Sequence, residues 1–263
     1  GAPNFIIDLC EERLRDDGSV ATMTDQARQD ILKVVDEYSS KALRVLAVAV
    51  RTMTELPFDK NDDEISTDER FAKLRQNLRL VGLVASIDPD RDGVKDSVLA
   101  ARGAGIRVVM ITGDYLKTAI AIAKNVSILQ PEDDEATAAV DCNTLRPGGH
   151  YLEGKDMDRL TSTVRVFARA KPEDKLEIVK SIQRMGQVAA MTGDGVNDAP
   201  ALNQANIGVA MGIQGTEVAK GASDMVLTDD NFCSIVAAVE KGRAIYSGIQ
   251  KFVAFIMSVH IAE

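Results

Sequence analysis

The chain twice ends an apolar run with Thr-Gly-Asp, at residues 112–114 and 192–194, and this repeat constrains the fold more than any other feature. From residue 92 onward, short apolar segments alternate with helical patterns, which predicts strands at 106–111, 164–168, 187–191, 207–211 and 225–227. Buried strands alternating with helices are typical of a parallel sheet built from βαβ units. We therefore predict an α/β fold with both Thr-Gly-Asp elements at the carboxyl ends of strands, where ligands bind.

The first third of the chain follows a different pattern. It predicts a short first helix, a second helix over 25–39 and a strand over 44–51. Residues 57–70 are mostly polar and acidic, which indicates a solvated surface loop. A further apolar strand runs into Asp88-Pro89, a pair that favours a turn and ends regular structure. We predict a domain boundary at 88–91.

Charge and cysteine content exclude several functions. The 40 acidic and 31 basic residues give a net charge of −9, whereas binding to nucleic acid phosphates needs a basic face. No nucleic acid partner is therefore predicted. The three cysteines lack C-x-x-C spacing, which supports neither a disulfide framework nor a zinc site. There is no P-loop motif, and no apolar run of the length that spans a bilayer, so the segment is expected to be soluble.

The second Thr-Gly-Asp element carries further metal-ligand chemistry. Asp194 and Asp198 lie four residues apart, with Asn197 beside them. Mg²⁺ prefers one or two carboxylates together with water and phosphate oxygens, so this spacing predicts a Mg²⁺ site that serves a phosphoryl group. Gly113 and Gly193 allow the backbone to approach such a ligand closely. The alternative is that each aspartate caps a helix N-terminus.

Lys175 lies in the first turn of a predicted helix that begins at Pro172 and ends before Gly186. A lysine in a first turn opposes the helix dipole, which favours anions there. A bound anion such as a transferring phosphoryl group explains this position better than helix stability does. Solvation at the surface is the alternative. Arg169 ends the preceding strand, so the pair would flank the same carboxyl edge.

Several motifs occur together in one order. They are ITGD at 111–114, KPEDK at 171–175, MTGDGVNDAPAL at 191–202, IGVAMG at 207–212 and VLTDDNF at 226–232. Together they resemble the phosphorylation domain of a type II P-type cation-transporting ATPase of the calcium-pump kind. The opening GAP resembles the end of the nucleotide-domain motif K-G-A-P, and DPDR at 88–91 resembles the hinge motif D-P-x-R. The resemblance covers nearly the whole chain.

The resemblance implies a fold and a division into domains. Residues 1–88 would be the C-terminal part of an α+β nucleotide-binding domain. Residues 89–240 would be most of a Rossmann-like phosphorylation domain of the haloacid-dehalogenase type. Residues 241–263 would be a stalk and the start of a transmembrane helix. The segment would be cytoplasmic in a multi-pass membrane protein.

The resemblance also implies site residues and cofactors. Asp194 would bind Mg²⁺ with support from Asp198, while the other catalytic residues would be Thr112, Gly113, Asp114, Lys175 and Asn197. Those five residues would also contact the bound ATP or its transferred phosphoryl group. The arginines implied to bind ATP are Arg44, Arg91 and Arg169. The whole protein would couple ATP hydrolysis, through an aspartyl-phosphate intermediate, to transport of a cation, with Ca²⁺ favoured over Na⁺ or K⁺.

One family motif is missing. The family's D-K-T-G-T loop, which carries the phosphorylated aspartate, does not occur in the sequence, and neither does the lysine of K-G-A-P. We therefore expect the phosphorylation domain to lack its first strand, leaving an unfilled position in the sheet, and the chain alone to be inactive. Two alternatives are a soluble haloacid-dehalogenase-type phosphatase and a non-catalytic α/β regulatory module.

Overall fold

The computed structural model describes residues 1–59, 65–87 and 89–262. Residues 60–64 of the predicted acidic loop, Asp88 of the DPDR motif and Glu263 lie outside the described residues. The chain divides into two compact units, and the division along the sequence falls between Pro89 and Asp90. The described residues of each unit have their own sheet structure and their own hydrophobic core.

The described residues of the first unit form one mixed sheet and three helices. Its elements are α1 (Pro3–Asp8), β1 (Cys10–Leu14), β2 (Val20–Thr22), α2 (Asp25–Ser40), β3 (Leu43–Val50), α3 (Thr67–Leu74) and β4 (Leu78–Ile87). The sheet order is β2-β1-β4-β3, in which β1 and β4 are parallel and the other pairs are antiparallel. Alternate residues of β3, among them Val45 and Ala47, pack into the core with Val35 of α2. The predicted helix and strand are confirmed to within a residue at each end.

The prediction of a loop over 57–70 is wrong at its end, because α3 begins at Thr67. Ser66 accepts a hydrogen bond from the Glu69 N–H at 3.3 Å, and the Glu69 carboxylate accepts one from the Ser66 N–H at 3.1 Å. This reciprocal capping satisfies two backbone donors and starts the helix inside an otherwise polar segment.

The second unit alternates strands and helices. Its elements are α4 (Val94–Gly103), β5 (Met110–Ile111), α5 (Leu116–Asn125), α6 (Glu135–Ala138), β6 (Ala139–Asp141), α7 (Gly154–Thr163), β7 (Val166–Ala168), α8 (Pro172–Arg184), β8 (Ala190–Gly193), α9 (Ala199–Gln204), β9 (Ile207–Met211), α10 (Glu217–Gly221), β10 (Met225–Leu227) and α11 (Phe232–Ala262). All strand pairs in this unit are parallel, which confirms the βαβ prediction.

The strands of this unit form two sheets, in the orders β5-β7-β6 and β10-β9-β8, where the sequence predicts one. Strand β5 has a neighbour on one side only in the described sheets, and its ladder covers Met110 and Ile111. The predicted strand over 106–111 is therefore wrong for residues 106–109. Strands β9 and β10 have the predicted bounds.

Helix α8 packs on both sheets. Ile178 contacts the cluster that contains Phe167 of β7, and the adjacent Val179 contacts Ala189, which precedes β8. Pro172 occupies the first turn of the helix, and Gly186, just beyond its end, has a φ of +75°, as its sequence predicts. The helix therefore packs against one strand region of each sheet, next to β7 and next to β8.

Helix α11 begins directly after Asn231. Phe232 packs against a cluster that contains residues of α4, α5 and β7, and Arg243 donates a hydrogen bond to the carbonyl of Ala104 at 3.0 Å. Farther along, Ile249, Phe252 and other apolar side chains of this helix are exposed. Within the described ranges, no helix combines the length and apolarity that crossing a bilayer requires.

The three thiols are expected to react differently in the folded chain. Cys10 and Cys142 are fully buried, whereas Cys233 is half-buried at the start of α11. Burial raises the pKa of Cys142 to about 12, with a smaller contribution from the negative charge of Asp174. At pH 8 this thiol is protonated, and the thiolate is the reactive form. Alkylation followed by mass spectrometry should label Cys233 first, while labelling of all three at equal rates is expected only after denaturation.

Candidate functional site

The first Thr-Gly-Asp element forms a hydrogen-bonded turn at the carboxyl end of β5. The Thr112 hydroxyl donates to the Asp114 carboxylate at 3.0 Å and accepts from the Asp114 N–H at 3.1 Å. The carbonyls of Thr112 and Asp114 accept hydrogen bonds from the N–H groups of Ala170 and Arg169, which follow β7. The turn is thus bound to the segment that leads into α8.

Arg169 sits at the junction of this edge. Its backbone has a φ of +51°, a left-handed conformation that is uncommon for residues other than glycine. Its guanidinium lies 3.7 Å from the Asp141 carboxylate at the end of β6 and 5.2 Å from the centre of the Tyr115 ring. The carboxyl ends of β5, β6 and β7 therefore converge on one arginine.

Lys175 joins the segment after β7 to the second Thr-Gly-Asp element. Its Nζ lies 2.5 Å from Oδ1 of Asp198, and both side chains are largely buried, at 18% and 8% exposure. Lys175 is therefore not a solvated surface lysine. The sequence predicts a bound anion beside Lys175. In this structure the negative charge beside Lys175 comes from the carboxylate of Asp198.

The second element surrounds Asp198. Its other oxygen, Oδ2, accepts hydrogen bonds from the N–H groups of Asp194 and Gly195, at 3.3 and 3.2 Å. The Asp194 carbonyl accepts from the Thr216 N–H at 2.8 Å, but the Asp194 side chain is exposed, as is that of Asn197. Backbone contacts thus hold Asp194 in place and leave its carboxylate accessible.

The two glycines of the repeated motif are expected to tolerate substitution differently. A Cβ at Gly193 would lie 2.5 Å from Cβ of Asp198, whereas a Cβ at Gly113 would meet nothing within 4 Å. Overpacking of this kind costs ~1–3 kcal/mol. Gly193→Ala should therefore lower the free energy of unfolding and displace Asp198 from Lys175, measured by hydrogen exchange around β8. Gly113→Ala is the matched control, and equal losses in both variants would contradict this account.

The carboxylates at the second element fit one Mg²⁺ ligand better than two. Among the described residues, no three histidine, cysteine or acidic side chains form a ready metal cluster. Asp198 is already engaged by Lys175 and two N–H groups, while the exposed Asp194 carboxylate forms no hydrogen bond or ion pair within the described ranges. One protein carboxylate with the remaining positions taken by water and phosphate oxygens is a usual Mg²⁺ arrangement.

The other predicted arginines lie elsewhere. Arg44 is an exposed residue of β3 in the first unit. Arg91 lies at the start of the second unit, where it donates hydrogen bonds to the carbonyl of Asp230 and, at 3.3 Å, to the side chain of Gln214. It therefore connects the start of the second unit to the loops after β9 and β10.

Sequence reasoning missed the group that anchors α8. Asp174 is fully buried, and its carboxylate accepts hydrogen bonds from the Tyr151 hydroxyl at 2.8 Å, the Arg146 Nη2 at 3.1 Å and the Lys171 N–H at 2.8 Å. Nε of Arg146 lies 2.9 Å away as an ion-pair contact without hydrogen-bond alignment. An acidic residue at the third position of a helix is a local signal, but its partners lie 23 and 28 residues earlier.

The chain is similar to known transport ATPases. A family model described as P-type ATPase, cytoplasmic domain N, matches residues 1–93. The P-type sodium-transporting ATPase4 of Toxoplasma gondii is 45% identical over all of this chain, which spans 21% of that protein. The endoplasmic reticulum calcium ATPase srcA of Aspergillus fumigatus is 41% identical, and the plasma membrane-type calcium-transporting ATPase 8 of Arabidopsis thaliana is 40% identical.

All of this chain is covered in both calcium ATPase matches, and it spans 26% of the Aspergillus protein and 24% of the Arabidopsis protein. The chain thus corresponds to about a fifth to a quarter of the length of these relatives. Because the similarity extends from one end of the sequence to the other, the chain belongs to the P-type cation-transporting ATPase family.

Proposed function

We propose that this chain is part of the cytoplasmic catalytic headpiece of a P-type ATPase, which couples ATP hydrolysis through an aspartyl phosphate to cation transport. The observation that carries the proposal is that one segment, residues 169–175, bonds to both Thr-Gly-Asp elements. It reaches the first through the N–H groups of Arg169 and Ala170 and the second through the Lys175–Asp198 pair. The named relatives, which are sodium and calcium pumps, support the same activity.

Each residue of this edge has a proposed task in phosphoryl transfer. Lys175 and the Thr112 hydroxyl would neutralise and hold the transferring group, with Gly113 and Asn197 beside it and Asp114 orienting the turn. Asp194 would be the direct Mg²⁺ ligand and Asp198 would support it. Bound Mg²⁺ supplies positive charge to the phosphate oxygens. Positioning and charge neutralisation would therefore do most of the catalysis.

The phosphorylated aspartate would come from a strand outside this sequence. Strands β5 and β8 are both edge strands of parallel sheets, and both end in Thr-Gly-Asp. We propose that a parallel strand between them completes a Rossmann-like sheet of the haloacid-dehalogenase type. In this arrangement residues 89–240 would form most of the phosphorylation domain, residues 1–88 the C-terminal part of the nucleotide-binding domain, and residues 241–263 a stalk and the start of a transmembrane helix.

Three arginines have proposed contacts with ATP. Arg44 is exposed on β3, and the family match to the cytoplasmic domain N covers its unit. We propose that Arg44 contacts the phosphates of ATP, and that Arg169 and Arg91 contribute when the nucleotide reaches the transfer site. The transported cation is proposed as Ca²⁺ first, with Na⁺ or K⁺ as the alternatives, because the relatives include both sodium and calcium pumps.

The test is ATP hydrolysis by the full-length protein in membranes, scanned over Ca²⁺, Na⁺, K⁺ and Mn²⁺. We expect one of these ions to stimulate hydrolysis and to be required for acid-stable labelling from γ-labelled ATP. Hydrolysis of phosphate esters that none of these four ions stimulates would favour a soluble phosphatase. Absence of both activities in a correctly inserted protein would favour a regulatory module.

A further inference from the structure

A cleft with three arginines lies away from the proposed transfer site. Arg102, Arg107 and Arg165 line an open cleft of about 260 Å³, and Ile106, Val108 and Ile128 form its apolar walls. Arg107 comes just before β5 and Arg165 just before β7, so the cleft lies at the amino edge of this parallel sheet. Thr112 and Arg169 follow the same two strands at the opposite edge.

The positive charge of the cleft is only partly neutralised. Arg165 pairs with Asp133 at 3.0 Å. Among the residues that the structure describes, Arg102 and Arg107 form no ion pair, because their recorded partners are the carbonyls of Ser127, Ile128 and Ser162. Three cations against one carboxylate leave two positive charges in a chain whose net charge is −9.

The carbonyl contacts have a structural role that does not use all the donors. The arginines donate hydrogen bonds to backbone carbonyls at the C-terminal ends of α5 and α7, as basic side chains commonly do at helix C-termini. The contacts engage Nη1 of Arg102 and Nη1 of Arg107. A guanidinium has five N–H groups, so Nε and Nη2 of both residues remain able to bind a ligand.

The positive charges of Arg107 and Arg165 also repel one another. The pKa of Arg107 is lowered, first by burial and second by the positive charge of Arg165. A bound anion would relieve this repulsion. An arginine fork matches the oxygen geometry of phosphate and carboxylate groups. Of these, a phosphate group carries close to two negative charges at neutral pH, which matches the excess charge of the cleft.

We propose that this cleft binds the phosphate group of an anionic ligand, at a site distinct from the transfer edge. The phosphate would bridge Arg102 and Arg107, while the apolar walls would contact the rest of the ligand. Its source could be a free phosphate or the headgroup of a phosphoinositide lipid. The site does not depend on the catalytic roles proposed for Lys175 and Asp194, because it uses none of their contacts.

The first experiment titrates the ¹⁵N-labelled chain with inorganic phosphate and follows backbone amide signals. Signals of Gly105, Ile106 and Val108 report on the cleft, and those of Gly113 and Asp194 report on the transfer edge. We expect saturable shifts at the cleft, and Arg107→Gln should raise the apparent Kd there about tenfold or more, since a charge-assisted hydrogen bond is lost. Unchanged spectra away from the cleft will show that the variant is folded.

The controls separate this site from the transfer edge. Arg159→Gln removes the same charge from an exposed position on α7 and should leave the cleft shifts unchanged. Lys175→Ala should alter phosphate shifts at the transfer edge only. Cleft shifts that are absent, that do not saturate or that persist in Arg107→Gln would overturn the proposal. If phosphate shifts the signals of the cleft but not those of Gly113 and Asp194, the result would count against the proposed function and not against phosphate binding in the cleft.

A second experiment identifies the source of the phosphate. The chain is sedimented with phosphatidylcholine vesicles that contain or lack phosphatidylinositol 4-phosphate. Binding that requires the phosphoinositide and is lost in Arg107→Gln, but not in Arg159→Gln, supports a lipid headgroup. Saturable cleft shifts with inorganic phosphate and no vesicle binding support a free phosphate. Vesicle binding that is equal in both variants would contradict a role of the cleft in lipid recognition.

Discussion

Replacing Asp194 by asparagine in the full-length protein is expected to slow phosphoenzyme formation by about 10²–10³-fold. The amide keeps the size of the side chain but removes the negative charge of the carboxylate that we propose as the Mg²⁺ ligand. The fold should not change, because the contacts that hold this residue involve its backbone N–H and carbonyl. Rapid-quench measurement of acid-stable labelling from γ-labelled ATP gives the rate directly.

Two further variants make this test specific. Asp156→Asn removes a carboxylate from the exposed first turn of α7 and should leave the labelling rate unchanged. Lys175→Ala should slow phosphoryl transfer more than it weakens binding of the transported cation, since the lysine would act on the transferring group. A near-normal labelling rate in Asp194→Asn would contradict its assignment as the metal ligand.

Replacing Asp174 by alanine is expected to produce the largest loss of stability, ~3–5 kcal/mol in the free energy of opening around α8. The substitution leaves the guanidinium of Arg146, which is 14% exposed, without its counterion. It also removes the acceptor of the Tyr151 hydroxyl and of the Lys171 N–H. Hydrogen exchange of the α8 amides measures this loss locally, which avoids assuming that the two units unfold together.

The matched control lies on the same helix. Glu177 pairs with Lys180 at 2.9 Å, but these side chains are 28% and 40% exposed, so Glu177→Ala should cost about 1 kcal/mol or less. Similar protection losses in Asp174→Ala and Glu177→Ala would show that the buried carboxylate does not anchor the helix. A much larger loss in Asp174→Ala would also explain how the first turn, and with it Lys175, is held in place.

The sequence predicts those parts of the fold whose signals are local. Strand β9 is a continuous apolar run, and α8 has proline at its start and glycine beyond its end, so both are predicted closely. Strand β1 contains Glu11, Glu12 and Arg13, which do not resemble a buried strand. It forms because β4, more than 60 residues later, pairs with it. No local pattern reveals such a partner.

The candidate site divides in the same way. Asp114 and Asp194 are predicted at strand ends because the repeated Thr-Gly-Asp motif directly follows an apolar run in both places. The pairing of Lys175 with Asp198 and the enclosure of Asp174 by Arg146 and Tyr151 depend on packing between distant segments. The positive charge of Lys175 in the first turn of a helix marks it as unusual in the sequence. Its partner Asp198 is visible only in the structure.

The length of α11 turns small angular changes into large displacements. A helix of 31 residues is about 46 Å long, at about 1.5 Å per residue. Its first residue, Phe232, is partly buried against the cluster that contains residues of α4 and α5, while many side chains beyond Ile245 are exposed. Tilting this helix by about 10° around its N-terminal end would move the far end by about 8 Å, given that length. Repacking around Phe232 that tilts the helix by this angle would thus move its far end by more than one helical turn, which is about 5.4 Å.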